Sequence, residues 1–307
     1  MAIGYACLVV GVEGTELRRC ILKNASEDNL RKIILNNLSA LNHMIDYNVK
    51  NHIKLFRISS DIIPFGSHPV NQILWWEDYQ EKLSGLGQKI EKAGIRVSMH
   101  PGQYTVLNSP NASVVANAIK ELEYHERFLS SLGMSEDSKL ILHIWGVYGD
   151  KKKAMDLFIE NYCILTDPIK KRLVIENDDR NYNIEETLSI SKEIGIPVVF
   201  DNLHHKLNPP SQKLSDREWI DSCSQTWSKH DGIQKIHYSQ QKEGAKPGNH
   251  SDTIDTVEFL RYYMDIIALI CSSVGGFNGR GKTVQAQAAV AAAKCTISSS
   301  LIFCNTP

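Results

Sequence analysis

Residues able to bind metal recur where apolar runs of this chain stop. "RVSMHPG" places His100 at the end of one run, and "LILHIW" carries His143. "LVIEN" ends on Glu176, and "VVFDNLHH" ends on Asp201 with His204 just beyond. "IQKIHYS" carries Lys235 and His237, "GNHSD" supplies His250, and His68 follows the second run in "FGSHP". Each alone has an ordinary explanation. A single histidine near a strand end is more often a hydrogen-bonded structural residue, and Asp201 can cap the turn that follows it. Together they call for something else. Imidazoles and carboxylates drawn into one place are costly to bury without compensation. Divalent cations supply that compensation, and this mixed donor set suits zinc, manganese or iron better than calcium. More than four ligands implies more than one ion. Two or three ions around a shared carboxylate are suited to phosphodiester hydrolysis. Glu176, central in the series, is the candidate for the shared ligand. Lys235 and His237 are two apart, so on a strand they face the same way.

The elements that must position these residues are short apolar runs alternating with helical patterns. The expected strands are Ile3 to Val10, Ile53 to Ile58, Arg96 to His100, Leu140 to Trp145, Leu173 to Glu176, Pro197 to Asp201, Ile233 to Tyr238 and Ile266 to Ile270. From Glu27 to Tyr47, Leu30, Ile33, Ile34, Leu38, Leu41 and Ile45 recur at helical spacing. Ser26 is placed to cap that helix, with Glu27 and Asp28 in its positive first turn. Ala112 to Leu132 is similar and stops at Gly133, and "EKAG" and "KEIG" each put glycine at a helix end. Eight β-then-α units give a parallel sheet that right-handed crossovers close into a (β/α)8 TIM barrel. In such a barrel, residues at the C-terminal strand ends meet at one mouth. An open doubly wound sheet is the alternative. Its usual glycine-rich phosphate turn is not matched by "GVEGTE", so no nucleotide cofactor is expected.

Composition narrows the setting. The chain has 307 residues, 42% of them hydrophobic, and a net charge of -1, so nothing attracts it globally to nucleic acid or acidic membranes. The basic runs Lys151 to Lys153 and Lys170 to Arg172 read first as solvated helix ends. The seven cysteines are scattered without a C-x-x-C pair, which fits a reducing cytoplasm. No apolar run reaches the roughly 18 residues of a membrane span.

The stretches "SMHPGQYTVLNSP", "HIWGVYGDKKKA", "LVIENDDR", "VVFDNLHH" and "KIHYSQQ" resemble the UV damage endonucleases of the UvsE/UVDE type. The resemblance covers about Ile3 to Asp265. It implies an α/β fold, a TIM barrel that is xylose isomerase-like and endonuclease IV-like. It also implies a repair enzyme that cuts damaged double-stranded DNA immediately 5′ of a UV photoproduct and starts excision. Up to three divalent ions are implied, manganese first, with zinc or magnesium as alternatives, in a monomer. Carried over by position, the ligands fall on His68, His100, His143, Glu176, Asp201, His204, His237 and His250, with Glu176, Lys235 and His68 catalytic. Lys235 matches a lysine that is carboxylated in the family, which would turn a repelled ammonium into an anionic group. Gln103 and Tyr104 match the pair that probes the duplex, and Tyr5 matches an aromatic of the lesion pocket. A core position for Tyr5 is an equal alternative on the sequence.

The C-terminus departs from the family. The eighth strand there carries a ligand glutamate, whereas "MDIIALICSS" has Leu269 at that place, and no acid follows Asp265. The expected division is a barrel domain over 1–274 and an Ala/Ser/Gly-rich tail over 275–307, with activity reduced by the lost ligand. Competing readings are an abasic-site endonuclease or sugar isomerase on the same barrel, and a DNA-binding remnant without catalysis.

Overall fold

The structure is a computed structural model that describes residues 2–268 and 300–304. Its strands are β1 (Ala2–Ala6), β2 (Leu55–Ile58), β3 (Arg96–Met99), β4 (Lys139–His143), β5 (Leu173–Glu176), β6 (Val198–Asp201), β7 (Lys235–Ser239) and β8 (Ser300–Cys304). They close into one barrel in chain order. The helices outside it are α1 (Glu27–Lys50), α2 (Trp75–Asp78), α3 (Gln80–Lys92), α4 (Ala112–Ser131), α5 (Lys151–Cys163), α6 (Asp167–Arg172), α7 (Ile184–Ile194), α8 (Asn202–Leu207), α9 (Asp216–Ser224) and α10 (Thr256–Ala268).

Local chemistry sets several helix ends. Ser26 accepts a hydrogen bond from the Asn29 amide and starts α1 as expected. Asn183 and Ser215 form reciprocal capping boxes with Glu186 and Glu218. Helix α7 stops at Gly195, whose φ of 71° is a conformation that glycine adopts without strain.

Strand parity separates two environments. Phe56, Val97, Leu142, Ile175, Phe200, Ile236 and Phe303 pack with the helices in one large core. Their neighbours point into the barrel, where Leu55, Ile302 and Cys304 form one cluster and Ile141, Val174 and Val199 another. Because side chains alternate, His143, Glu176 and Asp201 lie one step above Ile141, Val174 and Val199, at the mouth.

The eighth strand is a correction. Ile266 to Ile270 was the expected strand, but Ile266 belongs to α10, and its buried face joins those of Phe259 and Tyr263 at helical spacing. A short apolar run carries no periodicity strong enough to separate the two forms. The eighth strand is instead Ser300–Cys304, inside the expected tail, and it pairs antiparallel with both β1 and β7. Its alternation suits the gap: Phe303 meets the rings of Phe259 and Tyr263, while Ile302 and Cys304 face inward. Leu269, with the rest of 269–299, lies outside the described residues. β1 is also shorter than expected, because Cys7 adopts a positive φ of 63° and turns the chain away.

Candidate metal centre

Register builds the centre. His143 stands directly beside Glu176 across β4 and β5, and Asp201 beside His237 across β6 and β7. His100 follows β3. Its Nδ1 lies 3.0 Å from the Pro101 carbonyl, which fixes Nδ1–H as donor and leaves Nε2 to face inward. The Pro-Gly turn then carries the chain out of the mouth, and Thr105 N–H closes it onto the Gly102 carbonyl.

Glu176 is central in space as well as in sequence. One oxygen, Oε2, lies 3.2 Å from His100 Nε2 and 3.5 Å from His143 Nε2. The other, Oε1, lies 2.6 Å from His237 Nδ1. Two groups of ligand atoms are close enough to share an ion: His100, His143 and Glu176, and Glu176, Asp201 and His237. Glu176 belongs to both. His204 and His250 flank them, with the His204 ring 5.2 Å from that of His143 and 6.0 Å from that of His250. His204 Nδ1 lies 2.9 Å from the Asn177 carbonyl, so its Nε2 is the free face. Asn177 in turn exchanges hydrogen bonds with the Asp201 backbone.

The electrostatics suit cations. Burial pulls His100 below its usual pKa and His143 down to about 3, so both are neutral at physiological pH, as candidate ligands must be. Burial would raise the Glu176 carboxyl, but His237 and His143 outweigh it and hold the group well below its usual range. Burial lowers His204, yet Asp201 and Glu176 more than offset this and raise it. His143 Nδ1 and His237 Nε2 are buried without a hydrogen-bond partner among the described residues. Orphaned imidazole nitrogens around a shared carboxylate fit divalent ions of the transition series.

Other expected site residues fall elsewhere. Tyr5 is a correction: it is buried on the outer face of β1, its ring 5.1 Å from Phe56 and its hydroxyl toward Asn48 of α1. Parity explains this, since Gly4, not Tyr5, shares the inward face with Leu55. His68 is exposed, and its Nδ1 accepts from the Val70 amide of its own loop. It joins neither ligand group. With Tyr104, Gly102 and Glu121 it lines a cleft of about 450 Å³ beside the mouth. Gln103 is exposed and Tyr104 is 82% exposed, so this pair does project outward. Lys235 shares the inward face with His237 but lies one step deeper. Among the described residues its Nζ reaches only the Val97 carbonyl, at 3.4 Å, and burial holds its pKa well below the usual value.

Spacing passed over two residues. Arg57 lies inward on β2, two residues from Leu55, and its Nε is buried with no partner among the described residues. Its charge bears on His100, Lys235 and His250. The alternation in "KLFRIS" contained that signal. Trp145 sets its ring 5.1 Å from His143, edge on, with a positive φ of 73° that no sequence pattern announces.

Fold and site together define a class: β/α barrels whose mouth gathers histidines and carboxylates fit to hold several divalent ions. Within it, the chain belongs to the UV-endonuclease UvdE family, which matches residues 4–270. The UV DNA damage endonuclease of Clostridium perfringens is 46% identical over 87% of this chain and 65% of its own length. Thus the chain spans just under two thirds of that relative. The enzyme of the same name from Bacillus mycoides is 33% identical over 80% of this chain and 76% of its own. The crystal structure of SacUVDE is 37% identical with a TM-score of 0.79, covering 84% of this chain and 87% of that one. An L-ribulose 3-epimerase, 13% identical at a TM-score of 0.50 over 74% of this chain and 72% of that one, shares the fold alone.

Proposed function

We propose that the chain is a metal-dependent endonuclease that hydrolyses the phosphodiester immediately 5′ of UV photoproducts in double-stranded DNA. The observation that carries this reading is Glu176, whose two oxygens face separate ligand groups. His100, His143, Glu176, Asp201, His204, His237 and His250 would hold the ions. Manganese is the first choice, zinc or magnesium the alternatives. Such ions, when bound, supply Lewis acidity toward a phosphodiester. The chain's own residues do the rest. Glu176 stays ionised and holds His100, His143 and His237 around one point. The carbonyls of Pro101 and Asn177 keep His100 and His204 in the tautomer that presents Nε2. Ser60 donates to the His100 carbonyl at 2.6 Å and steadies the strand end. Gln103 and Tyr104 meet the duplex. A photoproduct pairs and stacks poorly, so displacing it costs less than displacing normal bases. An exposed ring that fills the gap turns that difference into selectivity. His68 takes a place beside Tyr104 on the DNA side, and Lys235 supports the centre from below.

The SacUVDE likeness and the Clostridium perfringens relative support the same substrate. Unpaired cysteines such as Cys7 and Cys223 agree with work in a reducing cytoplasm, and the family resemblance suggests a monomer. Activity is reduced relative to intact relatives, since Leu269 offers no anionic ligand where the family carries glutamate. The deciding experiment compares nicking of irradiated and unirradiated supercoiled plasmid with manganese present. Nicking confined to the irradiated plasmid supports the reading, and equal or absent nicking overturns it.

A further inference from the structure

The loop from β4 to α5, "IWGVYGDKKK", carries two bulky residues in the left-handed region. Trp145 has a φ of 73° and Tyr148 a φ of 49°. For side chains of this size that conformation is strained and persists only where the surroundings enforce it. Here they do. Asn181 Nδ2 donates to the Trp145 carbonyl at 2.7 Å. Asn108 Nδ2 and the Tyr182 hydroxyl both donate to the Gly146 carbonyl, at 2.5 and 2.8 Å. Three side chains from two neighbouring mouth loops therefore hold the carbonyls of Trp145 and Gly146, at the start of this turn, in place.

The strain fixes an aromatic ring on the surface. Tyr148 folds back over Gly146, and a methyl group built on Gly146 would overlap its ring. The other side of Tyr148 is open, with the residue 51% exposed. Trp145, in the same loop, packs against the candidate ligand His143. The ring is therefore anchored to the rim of the metal centre. Tyr104 projects from the neighbouring β3 loop. Immediately after Tyr148, Lys151 pairs with Glu186 and Lys152 with Asp156. Lys153 is exposed, and no ion pair holds it among the described residues.

We infer that Tyr148 is a second DNA-contact position, stacking on a nucleobase at the mouth, with Lys153 meeting the phosphate backbone beside it. This rests on the DNA reading above and adds to it a loop not included there. A preset ring stacks without first losing rotamer freedom, and any base offers it a π-face. An exposed lysine in the first turn of the following helix gives the charge complementarity that a phosphate chain needs.

The test uses the full chain with manganese and a fluorescent duplex, irradiated or not, in a binding titration. Tyr148→Gly removes the ring without adding backbone strain, because glycine accepts positive φ. It should weaken binding of the irradiated duplex by about fivefold to a hundredfold. Tyr148→Phe should bind like the native chain, and bound manganese should be unchanged in both. Gly146→Ala keeps Tyr148 but displaces its ring, and should weaken binding in the same direction. Lys153→Ala should lower the salt dependence by about one phosphate contact. If Tyr148→Gly binds within about twofold of the native chain while Tyr104→Ala is impaired, the Tyr148 assignment is wrong and the proposed function stands. If the native chain itself fails to prefer irradiated duplex, the proposed function fails and this assignment with it.

Discussion

Glu176→Gln tests the centre with the least change of shape. The substitution keeps the side-chain volume at a position that is 1% exposed, and it removes the negative charge. In the metal-free protein the consequence is small. The variant loses the charge on a 2.6 Å contact to His237 and contacts of 3.2 and 3.5 Å to His100 and His143. It also escapes the cost of burying an ion, and the two effects oppose each other. With metal the balance changes, since the cations lose the only carboxylate common to both ligand groups. Removing one partner of a buried charged set costs about 3–5 kcal/mol. At 1.4 kcal/mol per tenfold this is on the order of a hundredfold to several thousandfold in apparent metal affinity. The assay is thermal unfolding at increasing manganese, with elemental analysis of the dialysed protein and plasmid nicking on the same samples. The metal-free melting temperatures of variant and native chain should agree within a few degrees, while metal-induced stabilisation and nicking fall together. A variant that keeps its full metal content and nicks irradiated plasmid at the native rate would refute the shared-ligand reasoning.

Three further outcomes follow. Tyr104→Ala removes an 82% exposed ring that touches no ligand, so discrimination of irradiated duplex should fall by about fivefold to a hundredfold while bound metal is unchanged, as gel shift and elemental analysis will read. Metal affinity should rise with pH: the carboxylates of Asp201 and Glu176 hold His204 above its usual pKa against the effect of burial, and a protonated ring cannot bind a cation. Calorimetry in buffers of different ionisation heat should register that proton's release near neutral pH, and His204→Gln should remove it. Leu269→Glu, which leaves the closing strand Ser300–Cys304 in place, should raise both manganese affinity and nicking rate. No gain in either would mean that Leu269 does not mark a lost ligand.

Much of the site was legible because strand ends in a barrel converge, so the type of residue ending each apolar run already describes the mouth. His100, His143, Glu176, Asp201 and His237 needed only that rule. The inward direction of Lys235 followed from its spacing to His237, although its depth did not. Parity was available for Tyr5 as well, but the chain's left-handed turn at Cys7 and the register with Phe56 decided its face. His68 shows the limit of position in sequence: a loop residue can stand one element from the mouth and still face water. The sequence by itself determined the seven parallel strands, the two long helices α1 and α4 and the candidate ligand types, since these depend on local periodicity and alternation. Only the tertiary structure decided which strand closes the barrel. The gap between β1 and β7 takes a strand that presents alternating apolar side chains and runs antiparallel to both neighbours. Ser300–Cys304 does so, while Ile266 is committed to the helix whose buried face it shares with Phe259 and Tyr263.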